Sequence, residues 1–262
     1  MLSIIVIAKN EASNIRCCLE SIQWADEIIV LDSGSTDNTV SIAKEYTPHV
    51  FETDWCGYGV QKQRALERAT GDWVLNLDAD ESVSTELQHK IKAVMAEKEV
   101  DACRIPIQMV FYGKKLRYSS SPSRHIRLFK REGARYSDDI VHEKILLPSS
   151  SVVKQLNLSI SHHSFQDLSH ALYKLNRYSS YTSKSRIKNG KRAGFYRSIF
   201  GSVWMFFRCY VLQRGILDGQ VGFLLAMYHA QGTFYRGMKQ VYQDKDIEEI
   251  LAESTYRERK CE

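Results

Sequence analysis

The sequence predicts an α/β protein: a Rossmann-like, mostly parallel sheet followed by a helical C-terminal segment. Three observations carry that prediction. Over the first ~100 residues, short apolar runs alternate with stretches whose apolar residues recur every three or four positions, the pattern of strand–helix–strand units in a parallel sheet. Three of the runs end in polar clusters, at Lys9-Asn10-Glu11, Asp32-Ser33-Gly34-Ser35-Thr36-Asp37 and Asp78-Ala79-Asp80. From Asp167 onward strand signals vanish, and helical periodicity continues through a segment rich in Lys, Arg and aromatic residues.

The first strand is Leu2 to Ala8. Its apolar run is short and lacks a basic lead and a cleavage site, so it reads as a strand and not as a signal peptide or membrane span. A polar loop leads to a helix through Ile15, Leu19 and Ile22. Strand two, Glu27 to Leu31, ends at Asp32, where Gly34 allows a turn and Ser or Asp can cap the next helix, with Val40 and Ala43. A short strand at Val50-Phe51 precedes a helix through Val60, Ala65, Leu66 and Ala69; Gly71 ends it, and the Trp73 strand delivers Asp78 and Asp80. Leu87, Ile91, Val94 and Met95 then recur at helical spacing, with Ser84 placed to cap. Three further strands are expected, at Ala102 to Phe111, Arg124 to Phe129 and Val152 to Ile160. Pro106 implies an edge or a bulge in the first of these. Helices are expected over roughly 167–187, 196–212 and 216–242, broken at Asn189-Gly190 and Arg214-Gly215, and the charged end from Asp244 reads as a solvated helix. The expected division is an α/β domain over 1–163 and a helical, basic and aromatic region over 164–262.

Composition narrows the classes. A chain of 262 residues with 44% hydrophobic and 26% charged residues is an ordinary globular sequence, long enough for one large domain and an appendage. Its six cysteines show no metal-ligand spacing, which fits a reduced, cytosolic chain without zinc or disulfides. The net charge of +5 conceals a division: Ser164 to Gln243 holds twelve Lys/Arg against Asp167 and Asp218, or +10, which leaves −5 elsewhere. That stretch also holds eight of the 14 Tyr, seven of the 10 Phe, and Trp204. Its apolar runs are interrupted by Arg208, Gln231 and glycines, so a span is not expected, whereas cations interleaved with aromatics fit helices lying on an anionic membrane surface. An ordinary core helix pair is the plainer alternative, and no nucleic-acid-binding module is matched.

In a parallel sheet the three polar tips lie on one edge and converge on the crevice where open α/β sheets bind ligands. Asp32 can accept bonds from a uracil ring or ribose hydroxyl, or it can cap a turn. Asp78 and Asp80 can aim carboxylates at a hard cation bridging to phosphate, or form an acidic turn before a helix. Neither Gly-x-Gly-x-x-Gly nor a Gly-Lys-Ser/Thr loop is present, which disfavours dinucleotide and P-loop chemistry.

Together, Ser3 to Glu11, Asp32 to Asp37 and Leu77-Asp78-Ala79-Asp80-Glu81 resemble glycosyltransferase family 2 in order and spacing. The resemblance implies the GT-A fold, a nucleotide-sugar donor and inversion at the anomeric carbon. It further implies that Ala8, Asn10, Glu11 and Asp32 hold the nucleoside, that Lys62 lies near the diphosphate, and that Asp78 lies by ribose and diphosphate. Asp80 would bind Mg²⁺ or Mn²⁺. The base implied is Glu143, with His142 orienting it or touching the donor; Asp138 and Asp139 are rivals. Arg124 and Arg127, read as alternating on one strand face, could clamp phosphate or lie on a solvated face. His162, His163 and His170 are read as structural.

Within the family the chain resembles the lipopolysaccharide core β-1,4-glucosyltransferases, through the opening motifs, Arg124 to Phe129, His142-Glu143 and Asp218-Gly219-Gln220-Val221-Gly222. That subgroup implies UDP-glucose as donor, the inner-core heptose as acceptor, and a place on the cytoplasmic face of the bacterial inner membrane. Other readings are another nucleotide sugar or a polyprenyl or capsule acceptor, a sugar nucleotidyltransferase, and an inert membrane-binding protein. Lys9-Asn10-Glu11 does not resemble the Gly-rich, Arg-containing loop of the nucleotidyltransferases.

Overall fold

The structure is a computed structural model and describes residues 1–111, 113–118, 123–137, 144–165 and 168–242. Asp138, Asp139, His142, Glu143 and the chain from Gln243 lie outside the described residues, as do the side chains of Arg124 and His170. The elements run β1 (Leu2–Ala8), α1 (Ile15–Glu20), β2 (Glu27–Asp32), α2 (Thr39–Lys44), β3 (Val50–Glu52), α3 (Tyr58–Arg68), β4 (Trp73–Asp78), β5 (Glu81–Ser82) and α4 (Thr85–Met95). They continue with β6 (Ala102–Phe111), β7 (Lys114–Lys115), β8 (Ser123–Lys130), β9 (Arg135–Tyr136), β10 (Ile145–Leu146), β11 (Val153–Gln155) and β12 (Ile160–Phe165). Helices α5 (Leu168–Lys188), α6 (Phe195–Phe207) and α7 (Gln220–Tyr242) complete the chain, with a π turn at Arg208–Leu212 and a 3-10 turn at Gly215–Asp218.

The main sheet has the order β3-β2-β1-β4-β8-β6-β12-β5. Its first half is parallel, β2 with β3 and β1 with both β2 and β4, while β8 runs antiparallel to β4 and to β6. β1 is buried at every position, as a central parallel strand must be. Its period of two separates the faces. Leu2, Ile4, Val6 and Ala8 share a core with Ile15, Cys18 and Leu19 of α1 and Leu87, Ile91 and Val94 of α4. Ile5 and Ile7 share a second core with Ala65 and Leu66 of α3. Each large side chain removed from water there contributes about 1.5–3 kcal/mol. Ser84 caps α4 as expected, its hydroxyl accepting the Leu87 N–H at 3.3 Å.

Two expectations about the strands are corrected. The run from Val152 to Ile160 is not one strand. Asn157 lies in a bend, and the chain leaves β11, parallel to β6, to form β12, antiparallel to β5. Asn favours such turns because its amide competes for backbone hydrogen bonds. Pro106 does not mark an edge, since β6 lies between β8 and β12, and the irregularity in the β6–β8 ladder falls earlier, between Cys103 and Arg104. β5 was not foreseen, because two residues are too short to show a period.

The chain divides into two compact units. One holds Met1–Met109 and Pro122–Ser164; the other holds Val110–Ser121 and the chain from Phe165. In the second unit α7 packs against both α5 and α6. Lys239 of α7 donates to the Asn176 carbonyl at 2.9 Å and the Ser180 hydroxyl at 2.6 Å on α5. The helix expected over 216–242 is broken at Gly219, whose φ of 67° only glycine adopts freely. Asp218 explains the break: its carboxylate accepts the N–H groups of Arg117 at 3.0 Å and Tyr118 at 3.1 Å, pinning that segment. Gly222 sits directly on the Gly215 carbonyl, and a Cβ there would also lie 2.9 Å from Asp218 Cβ. Gly222→Ala should therefore lower the stability of this unit by about 1–3 kcal/mol or more, read as a lower melting temperature. An unchanged melt would mean that the turn before α7 yields freely. Among the described residues no helix is long and apolar enough to cross a membrane.

Candidate active site

The strand register brings the three polar tips together. Ala8 pairs with Asp32 across β1–β2, and Ile7 pairs with Asp78 across β1–β4. The loops after β1 and β2 are then stitched to each other. Ser33 N–H donates to the Ala8 carbonyl at 2.9 Å, and Asn10 N–H donates to Ser35 Oγ at 2.8 Å. Thr36 N–H donates to Asn10 Oδ1 at 2.8 Å, Glu11 N–H to Thr39 Oγ1 at 2.8 Å, and Ala12 N–H to Asp37 Oδ2 at 3.1 Å. Asn10 holds a left-handed φ of 56°, which an Asn side chain tolerates better than most.

Asp32 does not present a free carboxylate. It is fully buried, and its oxygens accept the N–H groups of Gly34 at 2.9 Å and Ser35 at 2.7 Å as well as the Ser35 hydroxyl. Of its two expected roles, the turn-capping one describes this structure. Asp32 shapes the loop that carries Ser35 and Thr36 to Asn10.

At the tip of β4, Asp78 lies between two cations. Lys62 Nζ is 3.3 Å from Oδ1 and Arg127 Nη2 is 3.1 Å from Oδ2. Arg127 also donates to Glu81 Oε1 at 2.8 Å, while Glu81 Oε2 accepts the Asp78 N–H at 2.9 Å. Although burial opposes it, Lys62 and Arg127 hold the Asp78 carboxyl well below the usual carboxylate range. Burial pushes the Glu81 carboxyl up to about 7, against the pull of Arg127 and with the Asp78 charge adding to the push. The expectation for Arg127 is corrected here. It does not lie on a solvated face: its side chain is buried and donates to the Asn76 carbonyl at 3.4 Å and to Asp78 Oδ2 at 3.1 Å. Its guanidinium is buried and neutralises the tip carboxylates.

Asp80 points elsewhere. Its Oδ2 lies 3.0 Å from His162 Nε2, and the two side chains are 16% and 34% exposed. β12 brings the histidine there: His162 pairs with Glu81, and His163 N–H donates to the Asp80 carbonyl at 2.8 Å. Burial lowers the His162 pKa, but the Asp80 contact and the charges of Asp80, Glu81 and Asp78 outweigh it and raise the value. Sequence reasoning set His162 aside as structural. Only the β5–β12 register reveals the contact. Nor did it assign Glu81 a role, although Glu81 stands within the motif.

One carboxylate oxygen and one imidazole nitrogen, both reachable from solvent, suit Mn²⁺ and also Mg²⁺. Among the described residues no group of three or more His, Cys, Asp and Glu could hold a metal ion. The donor set therefore fits an ion shared with a phosphate ligand and water, and does not form a closed protein cage.

Residues 3–147 match the sequence profile described as Glycosyl transferase family 2. The chain belongs to that family. This glycosyltransferase is 30% identical to an uncharacterized glycosyltransferase of Rickettsia felis, over 99% of this chain and 96% of the relative. It is 32% identical to the lipopolysaccharide core biosynthesis glycosyltransferase LpsC of Rhizobium meliloti, over 92% of each. Among solved structures, the mannosyltransferase PcManGT of Pyrobaculum calidifontis in complex with GDP-Man and Mn²⁺ matches with a TM-score of 0.50 at 15% identity, over 93% of this chain and 88% of that one. The sheet and its flanking helices are those of the GT-A fold, and the protein is a glycosyltransferase.

Proposed function

We propose that this glycosyltransferase moves glucose from UDP-glucose, with inversion, onto the inner-core heptose of lipopolysaccharide or lipooligosaccharide. The observation that carries the donor half is the solvent-reachable Asp80–His162 pair beside an Asp78 already neutralised by Lys62 and Arg127. The loop of Ala8, Asn10 and Glu11, shaped by Asp32, receives the nucleoside. Lys62 and Asp78 lie by the ribose and diphosphate. Asp80 and His162 hold Mg²⁺ or Mn²⁺, which when bound supplies positive charge against the charge growing on the departing diphosphate. The acceptor half is supported by the likeness to LpsC and by the basic, aromatic second unit.

Inversion needs a base on the acceptor side. Glu143, oriented by His142, takes the proton of the acceptor hydroxyl as that oxygen attacks the anomeric carbon, while the bond from that carbon to the diphosphate oxygen breaks. Glu143→Gln should leave UDP binding intact and lower turnover by about 10²–10⁴-fold. Normal turnover in that variant, with loss in Asp138→Asn or Asp139→Asn, would move the base. Arg124 contributes positive charge to phosphate recognition.

The acceptor is a lipid, and α6 suits a lipid surface. Tyr196, Phe200, Val203, Trp204, Phe207 and, in the π turn, Val211 recur at helical spacing and are all exposed, Tyr196 by 74% and Phe200 by 73%. An apolar stripe of that extent marks an interaction surface. With +10 charges on the surrounding segment it fits an anionic bilayer interface, which supports a peripheral position on the cytoplasmic face of the inner membrane. The protein should sediment with phosphatidylglycerol-containing vesicles at low salt, and Phe200→Ser with Trp204→Ser should release it. Failure to sediment at low salt would refute the membrane placement. Mass spectrometry of lipopolysaccharide from cells with and without the gene tests the whole proposal, since one hexose and its branch should disappear.

A further inference from the structure

Where α6 and α7 cross, Gly237 lies against Ser198, so that no side chain at 237 fits between them. Beside this crossing is a cavity of about 570 Å³ lined by Arg186, Lys191, Arg192, Arg197, Arg236 and Gln240. Five of these six carry positive charge, and among the described residues no carboxylate lines the cavity. None of the five makes an ion pair among the described residues. Cations gathered without counter-charge repel one another and focus a positive potential in a concave wall.

Two further features lie at the wall of this cavity. Gln240 is 9% exposed, and its Nε2 donor is buried without a hydrogen-bond partner among the described residues. A buried donor left unmade is costly unless a ligand takes it up. The N-terminus of α6 is also there: its cap, Gly194, offers no side-chain bond, and its first turn holds no acid. The first N–H groups of a helix lack partners within it, and the positive end of its dipole favours an anion.

We infer that this cavity binds a phosphate group carrying two or more negative charges, a phosphomonoester or a diphosphate. Arginine forks match phosphate oxygens two at a time, which suits Arg197 and Arg236 on facing helices. The cavity volume exceeds the needs of a bare ion and is that of a site for a small ligand, so the phosphate is carried on a larger group. Arg197 stands on α6 between the exposed Tyr196 and Phe200, beside the lipid-facing stripe. The ligand is therefore the phosphorylated sugar of the lipid-anchored acceptor; that identity rests on the proposed function, whereas the phosphate site rests on the cavity alone.

Calorimetry with inorganic pyrophosphate, in EDTA so that no metal supports the donor site, tests the phosphate site in the full-length protein. Saturable binding is expected, weakened about tenfold or more in Arg197→Gln/Arg236→Gln. The loop variant Lys191→Gln/Arg192→Gln, which leaves the helix crossing intact, should weaken it in the same direction. Lys174→Gln/Lys184→Gln removes equal charge outside the cavity and should bind as the parent does. Loss in the control pair equal to that in the pocket pairs, or no saturable binding in the parent, overturns the inference. Phosphatidylcholine vesicles with and without phosphatidic acid separate the sources: competition by phosphatidic acid assigns a lipid headgroup, and its absence assigns a free sugar phosphate. Manganese-dependent UDP binding is measured on the parent and the same variants, and its absence throughout would sink the proposed UDP-glucose donor while leaving the cavity result readable.

Discussion

Asp80→Ala should abolish manganese-dependent UDP binding and lower turnover on the order of 10²–10³-fold, while the protein melts almost as the parent does. The dissociation follows from how the tip is built. Asp78 and Glu81 are tied to the buried cations Lys62 and Arg127, whereas Asp80 among the described residues pairs with the partly exposed His162 and with neither buried cation. Removing Asp80 leaves no buried cation unpaired, because His162 can shed its proton. His162→Ala should weaken Mn²⁺ by at least ten- to a hundredfold and spare metal-free folding. Titration of Mn²⁺ into the UDP-bound protein measures both variants. Full UDP affinity in Asp80→Ala would remove the metal from this position.

The second large effect is on stability. Arg127→Met should cost about 3–5 kcal/mol, because it leaves the Asp78 and Glu81 carboxylates facing each other with their shared cation gone. For a unit of this size that is roughly a 10 °C fall in melting temperature. Lys62→Met should cost less, since Arg127 still bridges both acids. Adding Glu81→Gln to Arg127→Met should recover part of the loss, because one fewer buried charge then needs a partner. A parental melt for Arg127→Met would show that the ion cluster does not hold β8 against β4.

Much of the first unit was legible in advance. The short apolar run Leu2 to Ala8 predicted a first strand, and that strand is present with a core on each face. The Ser84 cap and the positions of α1 to α4 follow from local chemistry, in which hydroxyls meet nearby N–H groups and apolar residues repeat with the helix. The convergence of Asn10, Asp32 and Asp78 was also readable, because parallel strands must present their C-terminal tips on one edge. In the second unit the breaks at Arg214-Gly215 and Asn189-Gly190 were visible as Gly and Asn signals.

What stayed hidden depends on partners far apart in the chain. His162 reaches Asp80 across 82 residues through the register of two short strands, and no local pattern encodes that contact. By its chemistry Arg127 could clamp phosphate or lie on a solvated face, and the pairing of β8 with β4 brings its guanidinium to the Asp78 carboxylate. Asp32 could bind a ligand or cap a turn by its chemistry, and the fold spent its oxygens on the turn. The basic cavity needed three helices and their connection, with Gly237 allowing two of them to close. The sequence by itself determined the strand faces, the helix starts and the shared edge, because those depend on neighbours a few residues away. The tertiary structure alone decided which charges are buried, paired or left open, because electrostatic partnership is set by distance in space.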